Sequence, residues 1–164
     1  MLTALYIFLG FFSILLATYL MYFVYNRKAR CKNKSFYLTT CVQLLFLAIG
    51  FVFFLKTQQS FLSILVGCVF ASFGLCIKFS ALNEWAGKKT KVLNSGVYSL
   101  VRHPMYVGNI ITYFGLSLIL SVYGFLLLLI ILPAFVIRGK IEDKQMNCTY
   151  SNYKRKVSGF IPSI

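Results

Sequence analysis

The chain has 164 residues, of which 59% are hydrophobic and only 12% charged, with a formal net charge of +14. That composition is far from the average of a water-soluble domain and excludes such a domain as the first reading. It does not describe a nucleic-acid surface either: the cations flank long apolar runs without a groove-reading motif, so attraction to anionic lipid headgroups accounts for them.

A hydrocarbon core of roughly 30 Å requires about 20 apolar residues in a helix rising about 1.5 Å per residue. Residues 2–25 form the first such run, uncharged and without the flanks of a cleavable signal peptide, and predict a retained span. Residues 36–55 and 61–77 predict spans two and three, joined by a short polar turn at 56–60. A polar stretch from Lys78 to Arg102 follows, and the apolar segment 105–137 predicts spans four and five around a weak turn at 121–124. Each of these last two is expected to hold only about 13 to 17 residues and to form a short helical hairpin.

In this layout every Lys and Arg except Lys56 falls on one side of the bilayer. Since cytoplasmic loops carry the Lys and Arg excess, the N-terminus is expected outside and the C-terminal tail in the cytosol, in a bacterial inner membrane or the endoplasmic reticulum. The expected fold is therefore all-α, an integral membrane protein of about five transmembrane helices with a cytosolic C-terminal tail.

The two halves differ. Residues 1–77 read as a transmembrane scaffold; residues 78–164 hold all three acids, the only His, the only Trp and all three prolines, and read as the catalytic module. In span three Ser63, Gly67 and Ala71 recur every four residues, which puts small side chains on one face and lets a neighbouring backbone approach. Cys41, Cys68 and Cys76 lie inside spans and no zinc-ligand spacing occurs, so they read as small apolar filler and no metal is expected. Cys31, beside a basic run, is a weak palmitoylation candidate.

Chemistry concentrates in two stretches. In the first, Gly96 to Gly108, Arg102 and His103 directly precede an apolar helix whose Pro104 suits the first turn, where its missing N–H is unneeded. Singly, Arg102 reads as a positive-inside anchor and Tyr98 and Tyr106 as interfacial aromatics. The second stretch begins at Arg138 and places Glu142 and Asp143, two of the three acids, at the end of the last span, followed by Tyr150, Tyr153, Val157 and Phe160-Ile161-Pro162. Adjacent carboxylates in so basic a chain serve either to neutralise nearby cations or to bind a cationic ligand.

The order G-x-Y-x-x-V-R-H-P-x-Y-x-G, an apolar hairpin, R-x-x-x-E-[ED], and Y-x-x-Y-x-x-x-V-x-x-F-I-P resembles the isoprenylcysteine carboxyl methyltransferase family and its bacterial relatives over residues 90–162. The chain departs from that pattern between the acid pair and Tyr150, where it is shorter. The resemblance implies methyl transfer from S-adenosylmethionine to a membrane-borne lipid or prenylated acceptor, with membrane lipids as surroundings and no nucleic-acid partner. It implies Arg102, Arg138 and Glu142 as catalytic residues, and Tyr98, His103, Tyr106, Gly108, Glu142, Asp143, Tyr150 and Tyr153 as cofactor contacts. These side chains supply the cation, anion and flat walls such a cofactor requires. A carboxylate acceptor needs no general base, being ionised at neutral pH. Alternatives are a phospholipid amine N-methyltransferase, an NADPH-dependent sterol reductase with a similar R-H-P-x-Y ending, and a non-enzymatic membrane structural protein.

Overall fold

The computed structural model describes residues 60–87, 95–120, 122–145 and 151–160, together with isolated helical positions at 10, 41, 43–45, 48, 49 and 52. The expected spans at 2–25 and 36–55 lie otherwise outside the described residues, as do Cys31 and Tyr150. Among the described residues the regular structure is entirely helical: α1 (Phe61–Gly87), α2 (Val97–Leu100), α3 (Pro104–Ile119), α4 (Val122–Gln145) and α5 (Ser151–Lys156).

Helix α1 opens at Ser60, whose Oγ accepts the Ser63 N–H at 3.1 Å, a side-chain cap on an otherwise orphaned donor. The helix then continues ten residues past its expected end at 77. The expectation that Lys78 begins a cytosolic loop is thereby corrected: no helix breaker occurs between it and Gly87, and Lys78 is buried on the face that meets α3. A lysine tolerates that position because its aliphatic stem packs as an apolar group.

A similar correction applies to the last apolar segment. Helix α3 has 16 residues, within the expected range, but α4 has 24 and runs through Gln145. At about 1.5 Å per residue α4 is roughly 36 Å long, enough to cross a bilayer, whereas α3 reaches only about 24 Å. Arg138, Gly139, Lys140, Glu142, Asp143 and Lys144 thus belong to the last turns of a helix rather than to a tail. Apart from Gly139 they are helix-compatible side chains, and Lys144 in the final turn complements the negative helix end.

Among the described residues two helices are long and apolar enough to cross a membrane, Phe61–Trp85 and Gly124–Lys144. Both leave large apolar side chains exposed, Leu62, Leu65, Val69 and Phe73 on α1 and Leu126, Leu129, Ile130 and Ile137 on α4. A water-soluble surface rarely gathers so many.

Helix α3 lies between α1 and α4. Against α1 it packs backbone to backbone: a Cβ added at Gly67 would lie 2.6 Å from the Gly115 carbonyl oxygen, and one added at Gly74 would lie 2.5 Å from the Thr112 nitrogen. The small-residue face read from the sequence is therefore the contact face at Gly67 and Ala71, extended by Gly74, while Ser63 bonds to Ser60. Against α4, α3 contributes Tyr106, Tyr113, Leu116 and Ile119 to a core completed by Leu128, Ile131 and Phe135. Ser117 Oγ lies 2.7 Å from the Tyr113 carbonyl and 3.0 Å from that of Gly124, tying the end of α3 to the start of α4. The other end of this antiparallel pair carries the site.

Candidate active site

The segment before α3 is built to deliver two side chains. Gly96 has φ 53°, a conformation that L side chains rarely adopt, and it turns the chain into α2. Val101 is extended, and Arg102 and His103 then enter α3, where Pro104 occupies the first turn as expected. The backbone N–H groups of Arg102 and His103 donate to the carbonyls of Ser158 and Gly159, at 2.9 and 3.1 Å. A strap beyond α5 thus docks on the segment from which both side chains project.

Helix α4 presents Arg138, Glu142 and Asp143 to this segment. Arg138 and Glu142 are four residues apart and share a face, and Arg138 Nε donates to Glu142 Oε1 at 3.2 Å. The Tyr106 hydroxyl donates to the same oxygen. Arg102 Nη1 lies 2.9 Å from Asp143 Oδ1, and His103 Nε2 lies 3.1 Å from that atom. An ionised carboxylate only accepts, so Nε2 carries a proton there. His103 Nδ1 faces Glu142 Oε2 at 3.8 Å, an electrostatic separation rather than a hydrogen bond.

Aromatic rings enclose the charges. The His103 ring stacks on Tyr106 with centroids 5.5 Å apart and meets Phe160 on a 5.4 Å centroid separation. The Arg138 guanidinium carbon lies 5.3 Å from the Tyr106 centroid, within cation–π range. Phe135 backs Tyr106 from inside the core. His103 and Arg138 are both buried, so these ion pairs sit in a medium less screening than water.

Arg102, His103, Tyr106, Arg138, Glu142 and Asp143 therefore converge. Tyr98 is buried beside them in sequence, and its carbonyl accepts the Tyr153 hydroxyl at 2.6 Å, so these two tyrosines join α2 to α5. Gly108 stands apart: a Cβ there would lie 2.7 Å from the Gly74 carbonyl oxygen, which makes it part of the α1–α3 crossing. The sequence reading passed over Ser158, Gly159 and Glu84, which support the segment from outside. For Glu84 a signal existed, since it is the only acid in α1.

Residues 62–153, more than half of the chain, match the family of phospholipid methyltransferases. The chain belongs to that family. No curated protein and no solved structure matches it. Family membership makes this an S-adenosylmethionine-dependent, membrane-associated methyltransferase and sets aside the reductase and the non-enzymatic alternatives. The matched range runs from the start of α1 into α5, so it contains both arms of the charged cluster.

The residues present suit the cofactor of this family. Two guanidiniums are available to a carboxylate, two carboxylates to an ammonium, and the rings of His103, Tyr106 and Phe160 to a flat base. Two buried polar atoms in the same place, Arg102 Nε and Ser158 Oγ, have no hydrogen-bond partner among the described residues. Buried polar groups in native proteins are nearly always paired, which points to a polar ligand beside them.

Proposed function

We propose that this protein transfers a methyl group from S-adenosylmethionine to a carboxylate borne by a lipid or prenylated acceptor, at the membrane boundary formed by the ends of α1, α3 and α4. The observation that carries the reading is the charge balance of the cluster: Arg102 and Arg138 are matched by Glu142 and Asp143. Once a cofactor with one net positive charge is bound, the loaded site is cationic and complements an anionic nucleophile.

Arg102 and Arg138 are the forked donors for carboxylates, and Glu142 and Asp143 the acceptors for the cofactor ammonium. His103 and Tyr106 present ring faces, and the Tyr106 hydroxyl holds Glu142 in place. Bound there, the cofactor supplies an electrophilic methyl group. The protein need not remove a proton from a carboxylate acceptor; it aligns the oxygen with the methyl carbon and excludes water that would solvate it. The apolar faces of α1 and α4 offer the acceptor's lipid tail a path from the bilayer. The strong positive bias of the loops supports an orientation with this site facing the cytosol.

A second reading, methylation of a phospholipid amine, is favoured by the description of the matched family. It requires a proton acceptor for the amine, a step that a carboxylate acceptor dispenses with. Membranes containing the protein, incubated with methyl-labelled S-adenosylmethionine and either a farnesylcysteine analogue or phosphatidylethanolamine, separate the two. Base-labile label on the first acceptor supports the ester; base-stable label on the second replaces it with the amine reading.

A further inference from the structure

We propose that Glu84 is a positioning residue for this site, fixing the end of α1 to the Gly96–Val97 turn and so setting the segment that delivers Arg102 and His103. The proposal rests on the methyltransferase reading above. Three observations carry it. Glu84 Oε1 accepts the Val97 N–H at 3.0 Å, a charge-assisted bond linking α1 to the first residue of α2. The opposing residue is Gly96, where a Cβ would lie 1.7 Å from that same Oε1, so the carboxylate occupies the volume that any other residue would fill. Glu84 Oε2 is buried with no hydrogen-bond partner among the described residues. A buried oxygen without a donor costs free energy, and the half-buried carboxylate that carries it is retained where its other oxygen holds the Val97 N–H.

From Val97 the constraint passes to the site through few rotatable bonds. Tyr98, one residue on, is held by Tyr153, and Arg102 and His103 are held by Ser158 and Gly159. Glu84 ties the start of the segment to α1, whereas Arg102 and His103 at its end are tied to α4 through Asp143 and to the strap through Ser158 and Gly159. Without Glu84 the Gly96–Val97 turn would lose its side-chain bond to α1.

The test uses the full chain in lipid nanodiscs. Affinity for S-adenosylhomocysteine is measured by calorimetry, and amide hydrogen exchange is followed over residues 97–103. Glu84→Ala is expected to weaken affinity about tenfold, the scale of a lost hydrogen bond to a charged group, and to speed exchange across 97–103. Glu84→Gln, which keeps an oxygen acceptor for the Val97 N–H, is expected to stay within about threefold of the parent. Gly96→Ala is expected to impair binding in the parent and to add less impairment in the Glu84→Ala background, where the collision is gone. Unchanged affinity and exchange in Glu84→Ala, a Gln variant as impaired as Ala, or strictly additive effects of the two changes would each overturn the proposal. If Glu84→Ala does not fold, Glu84→Gln decides alone, because it keeps the acceptor: parent-like affinity and exchange support the proposal, and a loss of about tenfold or more overturns it. Absence of any binding by the parent would refute the methyltransferase reading, while the exchange arm would still show whether Glu84 holds the segment.

Discussion

Arg102 and Asp143 meet at 2.9 Å although all of α3 and most of α4 separate them in the chain, and His103 Nε2 shares the same carboxylate oxygen. The contact closes the α3–α4 pair at the end opposite its connecting turn. Asp143→Asn keeps the shape of the side chain and removes the charge that the Arg102 guanidinium and the His103 ring face. The expected result is a loss of S-adenosylhomocysteine affinity of about tenfold or more, with unfolding stability lowered by about 1 to 2 kcal/mol because the pair is only partly exposed. Calorimetry and thermal unfolding in nanodiscs measure the two.

Tyr106→Phe isolates one hydroxyl. The ring still stacks on His103 and lies under Arg138, so thermal stability should change by less than about 1.5 kcal/mol. Glu142 loses a donor and gains freedom to turn toward Arg138 alone. The expected readout is a cofactor KM raised about three- to tenfold with protein abundance unchanged.

Phe160→Ala removes the ring that lies against His103 and fills the space over Gly139. The Ser158 and Gly159 carbonyls remain available, so the strap should stay attached while the imidazole loses one wall. Loss of an aromatic contact of this kind amounts to about 0.5 to 1.5 kcal/mol beyond the buried area. A chain cut after Val157 should lose cofactor binding entirely, and calorimetry on both variants makes the comparison.

The α1–α3 crossing predicts a different class of effect. Gly74→Val would drive a branched side chain into the Thr112 nitrogen and the Gly108 carbonyl, and neither is a flexible side-chain end that can give way. Overpacking of this sort costs about 1 to 3 kcal/mol. The loss should appear as a lowered midpoint of thermal unfolding, whereas Ser63→Ala, at the exposed start of α1, should change it little.

Much of the site was legible because its chemistry is scarce in this chain. In a sequence this apolar and basic, the only His and an adjacent pair of acids stand out, and Arg102, His103, Tyr106, Arg138, Glu142 and Asp143 do converge. Helix ends were less legible, since Lys78 and Arg138 read as the borders of apolar runs. Charge marks where an apolar surface stops, but a helix stops where its backbone bonds do, and both residues sit inside helices with buried side chains. Gly108 was assigned to the cofactor on its place in the R-H-P-x-Y-x-G pattern; its requirement for glycine comes from close contact with α1. Glu84 stands out as the lone acid of α1, but its partner is a backbone N–H, and backbone groups carry no sequence signature.

The two bonds from Arg102 and His103 to Ser158 and Gly159 also fix an order of events during biosynthesis. Helices α1, α3 and α4 are all synthesised before residues 158 and 159. The R-H-P segment is therefore made before the strap that braces it, and its two backbone bonds wait until residues 158 and 159 have been added.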